Sequence, residues 1–163
     1  MTSYNFTLSN KKEWKNICKK INNLDFYYNP EFHNLYKLRY INSEPNAWVF
    51  SKKDKLFLYT FNLTQVLSEK MNNKNIYDIS STYGFLGPVS NSNDENFISE
   101  AWIEFDKWAL KKNIILEFIR FNPLLNNHKI RHKDTSIEFN RFIAVSNFEN
   151  GTQHFDKSIP SKT

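Results

Sequence analysis

Two charged residues interrupt an apolar run: Glu117 and Arg120, within residues 114–121. On an extended strand side chains alternate faces, so Glu117 is expected with Ile115, Ile119 and Phe121, and Arg120 with Ile114, Leu116 and Phe118. A charge in such a row must be paired, hydrogen-bonded or near solvent at a strand end. Arg120 therefore has two readings. It is a structural salt-bridge partner, or it faces the crevice at the carboxyl end of a central strand, where open α/β sheets bind ligands. There it would hold a phosphate or carboxylate bidentately. The remaining reactive side chains are less organised. His128 and His132 have the i, i+4 spacing of a helical metal pair, but no Glu or Cys completes the set and the segment is polar. Cys18 falls on the apolar face of a predicted helix and reads as core. There is no G-x-S-x-G nucleophile elbow.

The elements that must position these residues follow from patterning. Trp14, Ile17, Cys18 and Ile21 recur at three- and four-residue spacing, which predicts a helix within the first 25 residues. Residues 26–28 read as a short strand closed by Asn29-Pro30, and Pro30 as the first turn of a helix carrying Phe32, Leu35 and Tyr36. Residues 47–51 and 56–63 read as strands flanking a polar turn at 52–55. The chain is then expected to loop to about Tyr77. Residues 78–88 read as an ordered loop whose Gly84 and Gly87 supply turn conformations that other residues resist. Ser92 and Glu95 form a capping-box signature. It opens the clearest helix, 94–112, with Phe97, Ala101, Trp102, Phe105, Trp108 and Ala109 as its apolar stripe and Asn113 to close it. Residues 114–121 are then expected as an inner strand covered on both faces, and 139–145 as a last strand before a polar tail. The sum is an α/β lobe, a mixed sheet flanked by helices, over residues 1–150, with 151–163 as tail.

Composition narrows the classes. With 15 Phe, 8 Tyr and 4 Trp the chain has ample apolar surface for one core. The net charge of +5 comes from scattered lysines without a run of five cations, which reads as a solvated surface. The aromatics fall at core spacing and no RNP-type or OB-type motif is present, so nucleic acid is not an expected partner. A single cysteine excludes an internal disulfide. No apolar stretch is long enough to span a membrane and the N-terminus has no signal-peptide pattern, so a cytoplasmic location is expected.

Three segments carry a family resemblance. Tyr77-Asp78-Ile79-Ser80-Ser81-Thr82-Tyr83-Gly84-Phe85-Leu86-Gly87-Pro88 is followed by a helix and then by Leu116-Glu117-Phe118-Ile119-Arg120-Phe121-Asn122-Pro123-Leu124-Leu125-Asn126-Asn127. Together they resemble the N-terminal half of FemABX-like acyltransferases of the GNAT superfamily, where the counterparts look like D-I-x-S/T-x-Y-G-Y-G-G-P and E-F-I/V-R-F-H-P-L-x-x-N. The stretch Tyr27-Tyr28-Asn29-Pro30-Glu31-Phe32-His33 is similar to the family's early Y-x-x-P-E-Y/F-x element. The resemblance covers most of residues 26–145. Leu86 replaces one loop glycine, and Asn122 replaces the histidine before Pro123.

The resemblance implies a GNAT-like lobe and transfer of an acyl or aminoacyl group to an amine or hydroxyl acceptor, often in bacterial cell-envelope or polysaccharide building. It places substrate binding at Tyr83, Gly84, Phe85, Gly87, Pro88, Arg120 and Asn122, with Tyr83 and Glu117 as the titratable catalytic candidates. The implied donor is acyl-CoA or an aminoacyl-tRNA, the one nucleic acid expected. The glycine-rich donor loop Q/R-x-x-G-x-G/A is absent from the three glycines, so the chain is expected to hold no cofactor and to be inactive alone. The expected partners are a small-molecule or precursor acceptor and a second lobe, of which residues 158–163 resemble the start, supplied by another chain. The competing expectation is a non-catalytic binding or partner lobe, from a truncated or split gene product.

Overall fold

The computed structural model describes residues 1–22, 24–39, 42–67 and 75–139. Strand β1 (Thr2–Thr7) leads into helix α1 (Lys11–Lys20), and helix α2 (Pro30–Lys37) precedes β2 (Ser43–Lys52) and β3 (Lys55–Gln65). Strand β4 (Tyr77–Ser80), the two-residue β5 (Val89–Ser90), helix α3 (Glu95–Lys111) and β6 (Ile114–Phe118) follow. These elements lie in a compact unit, Met1–Lys133; the second unit is Asp134–Thr163, and its described residues, 134–139, carry no helix or strand.

The chain is α/β, with one mixed sheet flanked by helices. The strand order is β1-β2-β3-β4-β6, with β5 pairing β3. The β4–β6 pair is parallel and the other pairings are antiparallel. Strands β2 and β3 are buried on both faces because each carries two apolar sets at period two. Trp48, Phe50, Phe57, Tyr59 and Phe61 face α3 and pack on Phe97, Ala101, Trp102 and Phe105. Ala47, Val49, Leu56 and Leu58 face the other way and pack on Trp14 and Cys18 of α1, with Tyr28. Between β2 and β3 the chain turns in two residues, with Lys53 in the left-handed region at φ 58°.

Several expectations are corrected. The inner strand with two covered faces is not 114–121: β6 ends at Phe118 and stands last in the strand order, with Ile115, Leu116 and Phe118 more than half exposed. Its alternation also slips. Tyr77 pairs with Ile114 but Asp78 with Leu116, so Ile115 is an extra bulged residue. Ile114 therefore joins Ile119 against the α3 cluster instead of sharing Arg120's face. The N-terminus begins with an edge strand whose first residues are exposed, which hid it from hydrophobic patterning. Residues 26–28 form a 3-10 turn because the Asp25 carboxylate accepts from Tyr27 N at 2.8 Å. Residues 77–80, read as loop, are a strand in which only Ile79 is fully buried. Helix α3 falls within one residue of expectation at each end, but Asp94 is its N-cap, accepting from Asn96 N and Phe97 N, while Ser92 Oγ accepts from Asp94 N. Asn113, at φ 55°, closes it as expected. The expected strand 139–145 lies outside the described residues except for Phe139, which belongs to no strand. Among the described residues no helix is long and apolar enough to cross a membrane.

Candidate functional site

A cleft of about 470 Å³ opens where β4 and β6 end, within the roughly 300–1,000 Å³ range of ligand sites. The parallel ladder runs to Ser80 and Phe118, and Ser81 N still donates to Phe118 O at 3.0 Å. The chain then leaves the ladder and rejoins it at Leu86, which bridges to Phe121. The intervening excursion carries Tyr83 to the lip of the cleft. The glycine within it and the one just after Leu86 are both required by geometry. Gly84 sits at φ 110°, where a Cβ would lie 3.1 Å from the Tyr27 ring, and Gly87 at φ 96°, where it would lie 3.0 Å from Asn127 Nδ2.

Helix α2 holds this excursion in place. His33 Nδ1 lies 2.9 Å from Thr82 Oγ1, both side chains being fully buried. Burial pushes the imidazole pKa down to about 3, so it is neutral and acts as a fixed hydrogen-bonding anchor. One turn further along α2, Tyr36 stacks on Tyr83 with centroids 5.7 Å apart and planes 16° off parallel. An aromatic row continues outward through Phe32 to Tyr27 and Phe26.

The floor is polar and open. Asn62 and Thr64 leave the same face of β3, beside Ser43 of β2 and Ser80 of β4. Asn62 and Ser43 are buried, yet among the described residues neither side chain, nor those of Thr64 and Ser80, makes a hydrogen bond. Deeper on this face the Thr60 hydroxyl is fully buried, without a partner among the described residues. Arg120 supplies the only formal charge among the lining residues. Its backbone N–H donates to Ser81 Oγ at 3.0 Å, and its guanidinium carbon lies 5.5 Å from the Phe118 ring centroid, with no ion-pair partner among the described residues. Arg120 thus lines the cleft, and among the described residues no carboxylate pairs with it.

The structure separates the two titratable candidates. Tyr83 is exposed at the cleft lip, whereas Glu117 points to the α3 face and accepts from the Tyr59 hydroxyl at 2.8 Å. Burial is the main cause that raises the Glu117 carboxyl above the usual carboxylate range. Glu117 therefore belongs to the opposite side of the sheet from Arg120. Of the residues that the resemblance places at a binding site, Tyr83 and Arg120 line the cleft; Gly84 and Phe85 lie in the excursion beside it. Gly87 and Pro88 are buried in packing. Asn122 is a turn anchor: its Nδ2 donates to Asp25 and its Oδ1 accepts from Leu124 N and Leu125 N. Leu86, where the family has glycine, is fully buried in the α1 cluster.

The residues that patterning missed are Ser43, Asn62, Thr64, Ser80 and Tyr36. Asn62 and Thr64 carried a readable signal, two polar residues at period two closing an otherwise apolar strand. Cys18 is core as expected: it is buried, its Sγ lies 3.4 Å from Tyr28 O, and burial pushes its thiol up to about 12. A larger groove of about 800 Å³ runs beside α3 and residues 125–133. It holds both signs of charge, and they are partly neutralised within it, His132 Nε2 lying 3.1 Å from Asp106. His128 sits in a 3-10 turn there and does not share a helix with His132. No protein-family model, curated protein or solved structure matches this chain.

Proposed function

We propose that this chain is the acceptor-binding lobe of an acyl or aminoacyl transferase of the GNAT type, similar to the N-terminal half of FemABX-like enzymes. The observation that carries the reading is Arg120, a cation with no ion-pair partner among the described residues, in a polar cleft at the carboxyl ends of a parallel strand pair. Such ends are where open α/β sheets bind ligands. In this reading the acceptor's amine or hydroxyl attacks the donor's acyl carbon, a C–N or C–O bond forms, and the thiol or tRNA hydroxyl leaves with the proton. Arg120 and the floor side chains hold the acceptor, and Tyr83 borders its reacting end. Glu117 takes no part, because it lies across the sheet.

The donor is held elsewhere than on α3. The first free N–H groups of that helix are taken by the Asp94 carboxylate, which also pairs with Lys55. A pyrophosphate brought there would meet a carboxylate instead of open N–H groups. The same observation favours the second reading, a lobe that binds its ligand without turning it over. The test is an acyl-transfer assay with labelled acetyl-CoA and aminoacyl-tRNA, run on the purified chain and on the chain co-expressed with a neighbouring reading frame. Transfer that needs the second component and falls with Arg120→Gln supports the transferase. Acceptor binding at the cleft without transfer in either format supports the binding lobe. Transfer by the chain alone that Arg120→Gln leaves unchanged overturns both.

A further inference from the structure

The cleft's chemistry is specific enough to name a ligand class. Its lining has one formal charge, the Arg120 guanidinium, and no carboxylate. Of the nearby acids, Glu44 pairs with Lys37 at 2.8 Å, while Asp78, opposite Thr64 on the cleft side, lies outside the lining. A single planar guanidinium matches one carboxylate, with two parallel N–H to oxygen bonds. A phosphoryl group carries close to two charges and is ordinarily met by several cations or a glycine-lined nest of N–H groups. Neither is present among the lining residues. An ammonium group would need a carboxylate that the lining also lacks.

The rest of the floor is neutral. Asn62, Ser43, Thr64 and Ser80 present an amide and three hydroxyls, each able to donate and accept, and none is used among the described residues. Hydroxyl groups on a ligand have the same dual character. Asn62 is only 6% exposed, yet it lines the cleft and its amide makes no hydrogen bond among the described residues, so it is open to a ligand there. Two aromatic surfaces flank the floor, Phe118 beneath the guanidinium and Tyr83 at the lip, braced by Tyr36. Their faces suit the C–H face of a saturated ring.

We infer that the cleft binds a monocarboxylate bearing several hydroxyls, a sugar acid, with its carboxylate on Arg120 and its hydroxyls on Asn62, Thr64, Ser43 and Ser80. This deepens the reading above and rests on its assignment of the cleft. The test is titration of the full chain, followed by amide NMR, with D-glucuronate, D-glucose, glucose 6-phosphate and lactate. Glucuronate should perturb Ser80, Ser81, Tyr83, Phe118 and Arg120, and bind at least tenfold more tightly than the other three. Arg120→Gln should remove that preference over glucose, and Asn62→Ala the preference over lactate. Equal or tighter binding of glucose 6-phosphate, or of lactate, overturns the sugar-acid assignment while leaving the cleft as an anion site. Perturbation by none of the four at these residues overturns it and removes support for the acceptor cleft together. Unchanged glucuronate affinity in Arg120→Gln places the ligand elsewhere.

Discussion

The two faces of β6 and its neighbours solve the same problem in opposite ways. Toward α3, the one ionisable group on β6 is satisfied: Glu117 accepts from Tyr59, among the rings of Trp102, Phe105 and Phe61. Toward α2, three residues along, Arg120 has no ion-pair partner among the described residues, and the side chains of Ser43, Asn62, Thr64 and Ser80 beside it make no hydrogen bond there. Trp48 Nε1 is the exception on the α3 face, buried and unpaired. Burial without a partner lowers stability; on the cleft face of β3 the Thr60 hydroxyl bears that cost, whereas the cleft-lining polar side chains are not buried in this sense. The α3 face carries the aromatic core; the α2 end of the sheet is a polar, open cleft with one cation in its lining.

The comparison can be broken most directly at Phe105, whose ring contacts Trp48, Tyr59, Phe61, Trp102 and Trp108. Phe105→Ala should cost about 3–5 kcal/mol, the usual range for emptying an aromatic core site, read from a denaturant midpoint at constant slope. A cost near that of a surface substitution would mean the cluster is loosely packed and the contrast is wrong.

Tyr59→Phe comes next. It leaves the Glu117 carboxyl without its donor and should cost about 1–3 kcal/mol. Glu117 also gives a pH signature. Its folded-state pKa is raised, mainly by burial, with Asp106 adding to the rise and Tyr59 and His132 opposing it. The folded protein thus keeps this proton to higher pH than the unfolded chain. The stability it contributes is full below the unfolded carboxyl value, about 4.3, and is lost as pH rises through the raised folded value. Glu117→Gln keeps an oxygen for the Tyr59 hydroxyl and should remove that part of the decline. Denaturation midpoints of both proteins across mildly acidic to neutral pH check it; parallel curves would deny Glu117 a raised pKa.

What was legible in the sequence divides along the same line. Helix α3, its Asn113 stop and the β2–β3 hairpin were readable because the α3 core is built from period 3.6 and period 2 patterns that repeat for many residues. The two glycines were readable because a positive φ leaves a residue-level mark. The sheet order was not. Two-sided apolar patterning marked 114–121 as an inner strand, but one bulged residue, Ile115, shifted the alternation, and pairing placed that burial on β2 and β3 instead. Strand β4 was hidden because Asp78 and Ser80 face the cleft side and leave only Ile79 as an apolar signal. Arg120 could be singled out by type, but its lack of a partner is a property of three dimensions.

Thr60→Val probes the open face with a smaller effect of opposite sign. Thr60 shares a face of β3 with Asn62, is fully buried, and its hydroxyl has no partner. Valine keeps the shape and removes the stranded group, so the protein should gain about 1 kcal/mol. A loss of stability would show that the hydroxyl is satisfied after all.

The smallest expected effect on stability belongs to Arg120→Met, and it is the sharpest test of the contrast. Arg120 is exposed and has no ion pair, and its guanidinium rests on the Phe118 ring. Methionine keeps an apolar stem of similar length against that ring, so the packing share of the arginine is largely retained. The backbone bond to Ser81 Oγ does not depend on the side chain and persists. Glu117, on the other face, gains and loses nothing. The denaturation midpoint should therefore move by no more than about 0.5 kcal/mol, as for an ordinary surface position. A loss above about 1 kcal/mol, the upper end for an exposed pair, would mean that the guanidinium holds a carboxylate in solution. The α2 end of the sheet would then be as self-satisfied as the α3 face, and the argument for a ligand there would lose its cation.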